Sequence, residues 1–134
     1  MGLPGAGKTT LAMELQKQLH IARKTVTWFN ADAVRRENND WDFSETGRIR
    51  QSIRMRDLSD AATGDYTICD FVAPLAEMRG NIDADWTIWV DTIDEGRFAD
   101  TNKIFVNPTT YNFRVTTQDA VKWAESICNH ILKN

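Results

Sequence analysis

Between residues 9 and 19, Leu11, Leu15 and Leu19 recur at fourfold spacing with Glu14, Gln16, Lys17 and Gln18 between them. That is the pattern of a helix setting one apolar face against a core. Val26 to Phe29 reads as a short strand. Ser44 can cap a helix of about residues 45–62, whose apolar positions include Ile49, Ile53, Ala61 and Ala62, with Gly64 just past its end. Tyr66 to Cys69 and Trp86 to Val90 are further strand candidates, and Val115 suits a short last strand. Val121, Ala124, Ile127, Cys128 and Ile131 give residues 118–132 the period of a C-terminal helix. Strands alternating with helices imply parallel strands, right-handed crossovers and helices on both faces of a sheet. The segment 92–113, with Gly96, Asn102, Asn107, Pro108 and Asn112, is too long and mixed for a turn. It is expected to be a lid, the alternative being an ordered surface loop without a role.

The first residues carry the most specific signal. Gly2-Leu3-Pro4-Gly5-Ala6-Gly7-Lys8-Thr9 satisfies G-x-x-x-x-G-K-[ST] and runs straight into the first helix. In this P-loop motif the glycines let backbone N–H groups point inward as an anion nest, and the helix N-terminus adds its positive dipole end. Gly2, Gly5, Ala6, Gly7, Lys8, Thr9 and Thr10 are therefore the expected nucleotide-binding residues, with ATP and Mg²⁺ as cofactors. Lys8 would reach the β- and γ-phosphates, Thr9 would place its hydroxyl on Mg²⁺, and Thr10 would contact the α-phosphate side. The motif normally follows a buried central strand, yet only Met1 precedes Gly2. That strand is expected to be missing from the chain, through truncation, rearrangement or replacement by another chain.

Composition bounds the setting. The 134 residues hold 16 Lys+Arg against 19 Asp+Glu, a formal charge of −3, and are 42% hydrophobic. This suits one soluble domain over 1–134 that buries a core without disulfides or a structural metal. Cys69 and Cys128 lack C-x-x-C spacing and sit in apolar surroundings, the mark of buried thiols in a reducing compartment. No run approaches ~18 apolar residues, so no membrane association is expected and the location is read as cytoplasmic. An acidic balance also argues against a nucleic-acid partner.

Two aspartates close strand candidates. Asp32 follows Val26 to Ala31, and Asp70 follows Tyr66 to Cys69. Ligands gather at the carboxyl ends of parallel strands, which makes Asp70 a candidate Mg²⁺ ligand and Asp32 a candidate base for the acceptor hydroxyl. Helix capping or solvation is the plain alternative for each. Arg35, Arg36, Arg48, Arg50, Arg54 and Arg56 crowd into 22 residues, a cluster suited to a small anionic acceptor because guanidinium forks match phosphate and sulfate oxygens. Arg50 and Arg54 share a helical face, whereas Arg56 with Asp60 reads as a solvated ion pair. The oligomeric state is left open, with a homodimer as one option.

Taken together these residues resemble the adenylyl-sulfate kinase family, P-loop kinases that phosphorylate the 3′-hydroxyl of adenosine 5′-phosphosulfate. Gly2 to Thr10 is similar to that family's GLSGSGKTT-like loop, Asn30-Ala31-Asp32-Ala33-Val34-Arg35 to its D-G-D-N-V-R, and Asp42-Phe43-Ser44 to its G-F-S stretch. Arg48 and Arg54 match arginines of its D-R-x-x-N-I-R-R helix, Gln51 stands where that run has asparagine, and Val72-Ala73-Pro74 resembles its I-S-P segment. The resemblance implies a three-layer α/β P-loop NTPase fold, nucleoside-kinase-like, with a mostly parallel sheet. It implies that Asp32 is the catalytic or Mg²⁺-linked aspartate, that Arg35 and Arg48 hold the acceptor's phosphosulfate and that Phe43 stacks on its adenine; the expected catalytic residues are then Lys8, Asp32 and Arg97, and Gln51, Arg54 and Pro74 join the expected acceptor contacts. After Thr92 the chain departs from the family's R-D-x-K-G-L-Y lid, and Arg97 and Lys103 stand as candidate lid charges. The alternatives are a P-loop kinase for another small-molecule or polynucleotide hydroxyl, or a nucleotide-binding module without catalysis.

Overall fold

The computed structural model describes residues 1–133, and in them ten elements alternate as the periodicity implies. They are α1 (Lys8–Ile21), β1 (Val26–Asn30), α2 (Ala31–Asn38), α3 (Glu45–Ala61), β2 (Tyr66–Asp70), α4 (Ala76–Ile82), β3 (Ile88–Val90), α5 (Ala99–Ile104), β4 (Phe113–Val115) and α6 (Ala120–Leu132). β1 pairs parallel with β2, Val26 opposite Tyr66 and Asn30 opposite Asp70. β3 pairs parallel with β4, Ile88 opposite Phe113. These are two separate two-stranded sheets rather than one continuous sheet.

Helices α1 and α6 cover one face. Leu11, Leu15 and Leu19 meet Ala124, Ile127, Cys128 and Ile131 in one cluster, with Val26, Tyr66, Ile68, Ile88 and Phe113 of the strands packed beneath. Successive strand residues point to opposite faces, so Cys69 turns away from this cluster and meets Ser59 of α3 on the other side. Both cysteines are free, and burial raises both thiols above their ordinary range. Among the described residues no helix is long and apolar enough to cross a membrane.

Helix α3 corrects one expectation. Ser44 caps it as anticipated, accepting from the Gly47 N–H at 3.1 Å. Its buried residues, however, are Gly47, Arg48, Gln51, Ser52 and Met55, while Ile53 is exposed. A polar face can turn inward here because its groups are paired: Ser52 Oγ donates to the Ile49 carbonyl and accepts from Asn81 Nδ2 of α4. Arg56 likewise reaches Asp57, at 3.2 Å, rather than Asp60. Three short helices, α2, α4 and α5, were not anticipated from the pattern, and β3 begins two residues later than Trp86.

Met1 and Gly2 lie between the two sheets. The Met1 amino group donates to the Ile88 carbonyl, its own carbonyl accepts from the Val90 N–H at 2.8 Å, and the Gly2 N–H donates to the Val72 carbonyl. Two residues thus link β3 to the segment just after β2 at the place where the glycine-rich loop starts.

Candidate active site

The loop 2–7 ends at Gly7, which caps α1 in a left-handed conformation, φ 101°, that a side chain would strain. Gly7 offers no side-chain cap. The first-turn N–H groups of Lys8, Thr9 and Thr10 lack intrahelical partners by geometry, and the helix dipole points its positive end at the same spot. The Ala6 carbonyl accepts from Thr92 Oγ1 at 2.7 Å, tying the loop to the exit of β3. Gly5 lies beside Ile93.

Lys8 Nζ donates to the Leu3 carbonyl at 3.0 Å across the mouth of the loop. Burial lowers its pKa, Asp70 and Asp32 oppose that shift, and Arg97 adds to it. All three charges are therefore within electrostatic reach of the lysine. Thr9 Oγ1 donates to Asp70 Oδ2 at 2.9 Å, and Asn30 Nδ2 donates to both, at 3.2 Å to Thr9 and 3.0 Å to Asp70. Parallel pairing of Asn30 with Asp70 at the strand ends creates this triangle, and the helix start delivers Thr9 to it. Among the described residues no group of three or more His, Cys, Asp or Glu gathers to cage a metal. One buried carboxylate beside one hydroxyl, both hard oxygen donors, is the set that suits Mg²⁺, which keeps several waters and phosphate ligands. Asn30 was not singled out from sequence. Its signal was its position, opposite Asp70 at the end of a parallel partner.

Asn30 also caps α2, accepting from the Ala33 N–H at 3.1 Å. The cap role considered for Asp32 therefore falls to its neighbour, and Asp32 lies exposed in the first turn.

The arginine cluster divides. Arg35 is buried and Nη1 donates to the carbonyls of Asp40 and Asp42 at 3.0 and 3.2 Å. Arg48 Nε donates to the Phe43 carbonyl at 2.8 Å and Nη2 to Thr101 Oγ1 at 3.2 Å. Their guanidinium carbons lie 4.4 and 5.4 Å from the centre of the Phe43 ring. Among the described residues neither arginine has a carboxylate within ion-pair distance, and burial lowers the pKa of both. Two cations without a direct carboxylate contact among the described residues therefore flank one aromatic ring, 52% exposed. Arg54 is engaged differently: it donates to Gln51 Oε1 and to Asp40 Oδ2, while Gln51 Nε2 donates to the Ala31 carbonyl. Arg50 grips Asp40 through two nitrogens and reaches Asp42 as well. These bonds hold the Asp40 carboxyl well below its ordinary pKa.

The segment after Thr92 reaches over this area. A Cβ on Gly96 would meet the Pro4 carbonyl oxygen at 2.9 Å, so the segment touches the glycine-rich loop. Asn102 closes a ring on Gly96, accepting its N–H and donating to its carbonyl. Thr101 contacts Arg48, and the Val106 N–H donates to the carbonyl of buried Pro74. Arg79 of α4 completes the clasp by donating to the carbonyls of Ala73, Pro74 and Val106, with burial lowering its pKa. Arg79 carried no motif in the sequence. Arg97 is exposed against Phe98, and Lys103 is exposed as well. On the other side of the loop, Gly7, Thr10, Val90, Thr117 and Gln118 line a hollow of about 140 Å³.

The sequence of residues 1–109 matches the family of adenylylsulphate kinases. The chain belongs to the adenylylsulphate kinase family. It is 35% identical over 81 residues to the adenylyl-sulfate kinase of Bacteroides fragilis strain YCH46, covering 58% of this chain and 40% of that protein. The figures for the adenylyl-sulfate kinase of Bacteroides thetaiotaomicron are 34% over 87 residues, 60% and 43%. The match thus spans less than half the length of these curated relatives. A solved structure of the Mycobacterium tuberculosis APS kinase in complex with AMPPNP and APS superposes with a TM-score of 0.83 at 20% identity. The superposition covers all of this chain and 95% of that one. The α/β P-loop NTPase architecture expected from the motif is therefore present. The chain holds the loop, the Thr9–Asp70 pair and the Arg35–Phe43–Arg48 group in one region. Its own segment 92–113 is joined to that group through Thr101.

Proposed function

We propose that this chain is an ATP-dependent phosphotransferase that phosphorylates the 3′-hydroxyl of adenosine 5′-phosphosulfate. The observation that carries the reading is the convergence of Thr9, Asp70 and Asn30 at the mouth of the glycine-rich loop. Loop N–H groups and Lys8 would hold the β- and γ-phosphates, and the hollow beside Thr10, Thr117 and Gln118 would take the base of the nucleotide. Thr9 and Asp70 would hold Mg²⁺, which would supply neutralisation of the phosphate charge.

On the acceptor side, Arg35 and Arg48 would receive the phosphosulfate and Phe43 would stack on adenine. Pro74 and Arg79 would close the far wall, and the segment 92–113 would act as the lid. Asp32 would accept the proton as the acceptor oxygen attacks the γ-phosphorus in line and the bond to the ADP oxygen breaks. Lys8 and Arg97 would stabilise the charge that develops. This is positioning plus electrostatics, the usual way a protein assists phosphoryl transfer.

One observation favours a different acceptor for the same chemistry. Arg54 and Gln51 are tied to each other, to Asp40 and to the Ala31 carbonyl, so two of the expected acceptor contacts have internal partners. ADP release from MgATP, measured with and without adenosine 5′-phosphosulfate, separates the readings. Stimulation by that acceptor supports the proposal. Stimulation only by a nucleoside, a sugar or a polynucleotide end supports the other, and ATP binding without any stimulated release points to a non-catalytic module. Asp32→Asn should bind ATP normally and lose turnover; normal turnover by that variant removes Asp32 from the role of base.

A further inference from the structure

Helix α3 begins with one half of a capping box. In the full motif, [ST]-x-x-[DE], the N-cap hydroxyl accepts from the N–H three residues on, and the acid there reaches back to the N-cap N–H. Ser44 supplies the first half, its Oγ accepting from the Gly47 N–H. Gly47 has no side chain to return the bond. The Ser44 N–H donates instead to Asp42 Oδ1 at 2.9 Å, so the carboxylate that closes the box comes from two residues before the cap. Close packing goes with this arrangement. A Cβ on Gly47 would lie 2.3 Å from the Asp42 carbonyl oxygen and 2.5 Å from its carboxyl carbon, so no side chain fits at 47 unless the loop moves. Of the motifs that the chain resembles, G-F-S has glycine where Asp42 stands, and D-R-x-x-N-I-R-R has aspartate where Gly47 stands. An acid and a glycine have exchanged places across the start of one helix.

The relocated carboxylate encloses Phe43. Its bond from the Ser44 N–H spans that one residue, an Asx turn. Asp42 Oδ2 also accepts from Arg50 Nη2 at 3.2 Å, its N–H donates to Asp40 Oδ1, and its carbonyl accepts from Arg35 Nη1. Hydrogen bonds from Ser44 and Arg50 hold the Asp42 carboxyl below its ordinary pKa. On the other side of the turn, the Phe43 carbonyl accepts from Arg48 Nε at 2.8 Å. The backbone is thus held before and after the ring, while the ring itself stays half exposed between Arg35 and Arg48.

We propose that Asp42 is a positioning residue of the acceptor half: with Gly47 leaving it room, its carboxylate completes the cap of α3 and sets Phe43 between the two arginines that face the acceptor. In that role it rests on the acceptor reading of Arg35, Phe43 and Arg48 given above. Asp42 acts through the Phe43 peptide and not on the reacting atoms.

The test is a double-mutant cycle on the full chain with Asp42→Gly, Gly47→Asp and the two together. Its readouts are KM for adenosine 5′-phosphosulfate, KM for ATP, Tm and amide exchange at Ser44. Asp42→Gly should raise acceptor KM about fivefold, leave KM for ATP unchanged and speed Ser44 exchange at least about tenfold. Gly47→Asp alone should also raise acceptor KM and lower Tm, although replacing glycine inside a helix ordinarily favours the helix. In the double variant, glycine at 42 lets the loop retreat and the acid at 47 completes the box. Acceptor KM and Ser44 protection should then return to within about twofold of the parent chain. A double variant no better than either single one overturns the proposal. So does a fall in Tm on Asp42→Gly with acceptor KM unchanged, which would make Asp42 a helix cap alone. If Asp42→Gly fails to fold, Asp42→Asn is set against Asp42→Ala: the amide oxygen can still accept from Ser44, so the asparagine variant should keep the lower acceptor KM, and equal values overturn the proposal. If adenosine 5′-phosphosulfate stimulates no ADP release from the parent chain, the acceptor reading fails by itself. The Ser44 exchange cycle, which needs no acceptor, still decides the placing of Phe43: protection restored in the double variant upholds it, and protection left unrestored overturns it.

Discussion

Around the glycine-rich loop the backbone does the holding; around Phe43 side chains do. Lys8 reaches only five residues back to the Leu3 carbonyl, and the first-turn N–H groups come with the start of α1. Arg48, by contrast, depends on Thr101, 53 positions away, and Arg79 on Val106, 27 positions away. The nucleotide half is therefore assembled by local geometry plus one parallel strand pair. The acceptor half exists only when α3, α4 and the segment 92–113 are docked together, so it should be the half that substitutions and conditions loosen first.

The largest effect should come from the local half. Lys8→Ala removes the half-buried cation that spans the loop, and turnover of MgATP should fall on the order of 10²–10³-fold, about what loss of one preorganised charge-stabilising donor costs. Steady-state ADP release measures this, while thermal melting should change little because the Lys8 side chain donates one bond among the described residues, to Leu3. A melt lowered as far as in the Arg48 variant would break the contrast between the halves.

Arg48→Ala comes next and should show the opposite profile. It removes two charge-assisted hydrogen bonds from a buried guanidinium, each worth about 1.5–3 kcal/mol. Both the melting temperature and acceptor affinity should drop, with KM for the acceptor rising at least about tenfold and KM for ATP nearly unchanged. Arg48→Lys should rescue neither, because an ammonium cannot bond the Phe43 carbonyl and Thr101 with one planar fork.

This difference also explains what could be read from the chain. Gly2 to Thr9, the Leu11–Leu15–Leu19 stripe and the α6 period are local patterns that map directly onto structure. So is the run from Tyr66 to Asp70. Asn30 and Arg79 were not legible, since each matters through a partner far away in sequence: Asp70 for one, Val106 for the other. The inward polar face of α3 defeats a reading based on apolar period, because Ser52 and Gln51 are buried by virtue of bonds to Asn81 and Ala31. The short α2, α4 and α5 carry too few turns for a period to emerge. Two sheets in place of one reflect a cavity between β2 and β3, where Met1 and Gly2 link β3 to the segment just after β2.

A third prediction tests that link. The Met1 amine has its folded-state pKa depressed from 8.0 to about 5 by burial. Between those values the unfolded chain binds more protons than the folded one, so stability rises with pH across the window, by about 1.4 kcal/mol per unit. Denaturant melts at pH 5.5 and 8 should differ accordingly. Acetylation of the amine should flatten the slope, since the titrating group is gone. An unchanged slope after acetylation would mean that the loop is not anchored through this nitrogen, and the contrast between a self-contained nucleotide half and a docked acceptor half would sharpen.

The smallest effect is the most informative about the acceptor half. Phe43 lies between the Arg35 and Arg48 guanidiniums with half its surface exposed. A cation–π contact at an exposed site contributes about 0.5–1 kcal/mol, so Phe43→Leu should raise acceptor KM about two- to fivefold. ADP release from ATP alone should not change. Phe43→Tyr keeps the ring face and should behave as the parent chain. The split between two observables decides the role of the ring. If KM rises without a fall in melting temperature, the exposed face meets the acceptor, as the proposed stacking requires. If melting temperature falls and KM holds, the ring serves only to keep two like-charged arginines apart, and acceptor recognition rests on the guanidiniums alone.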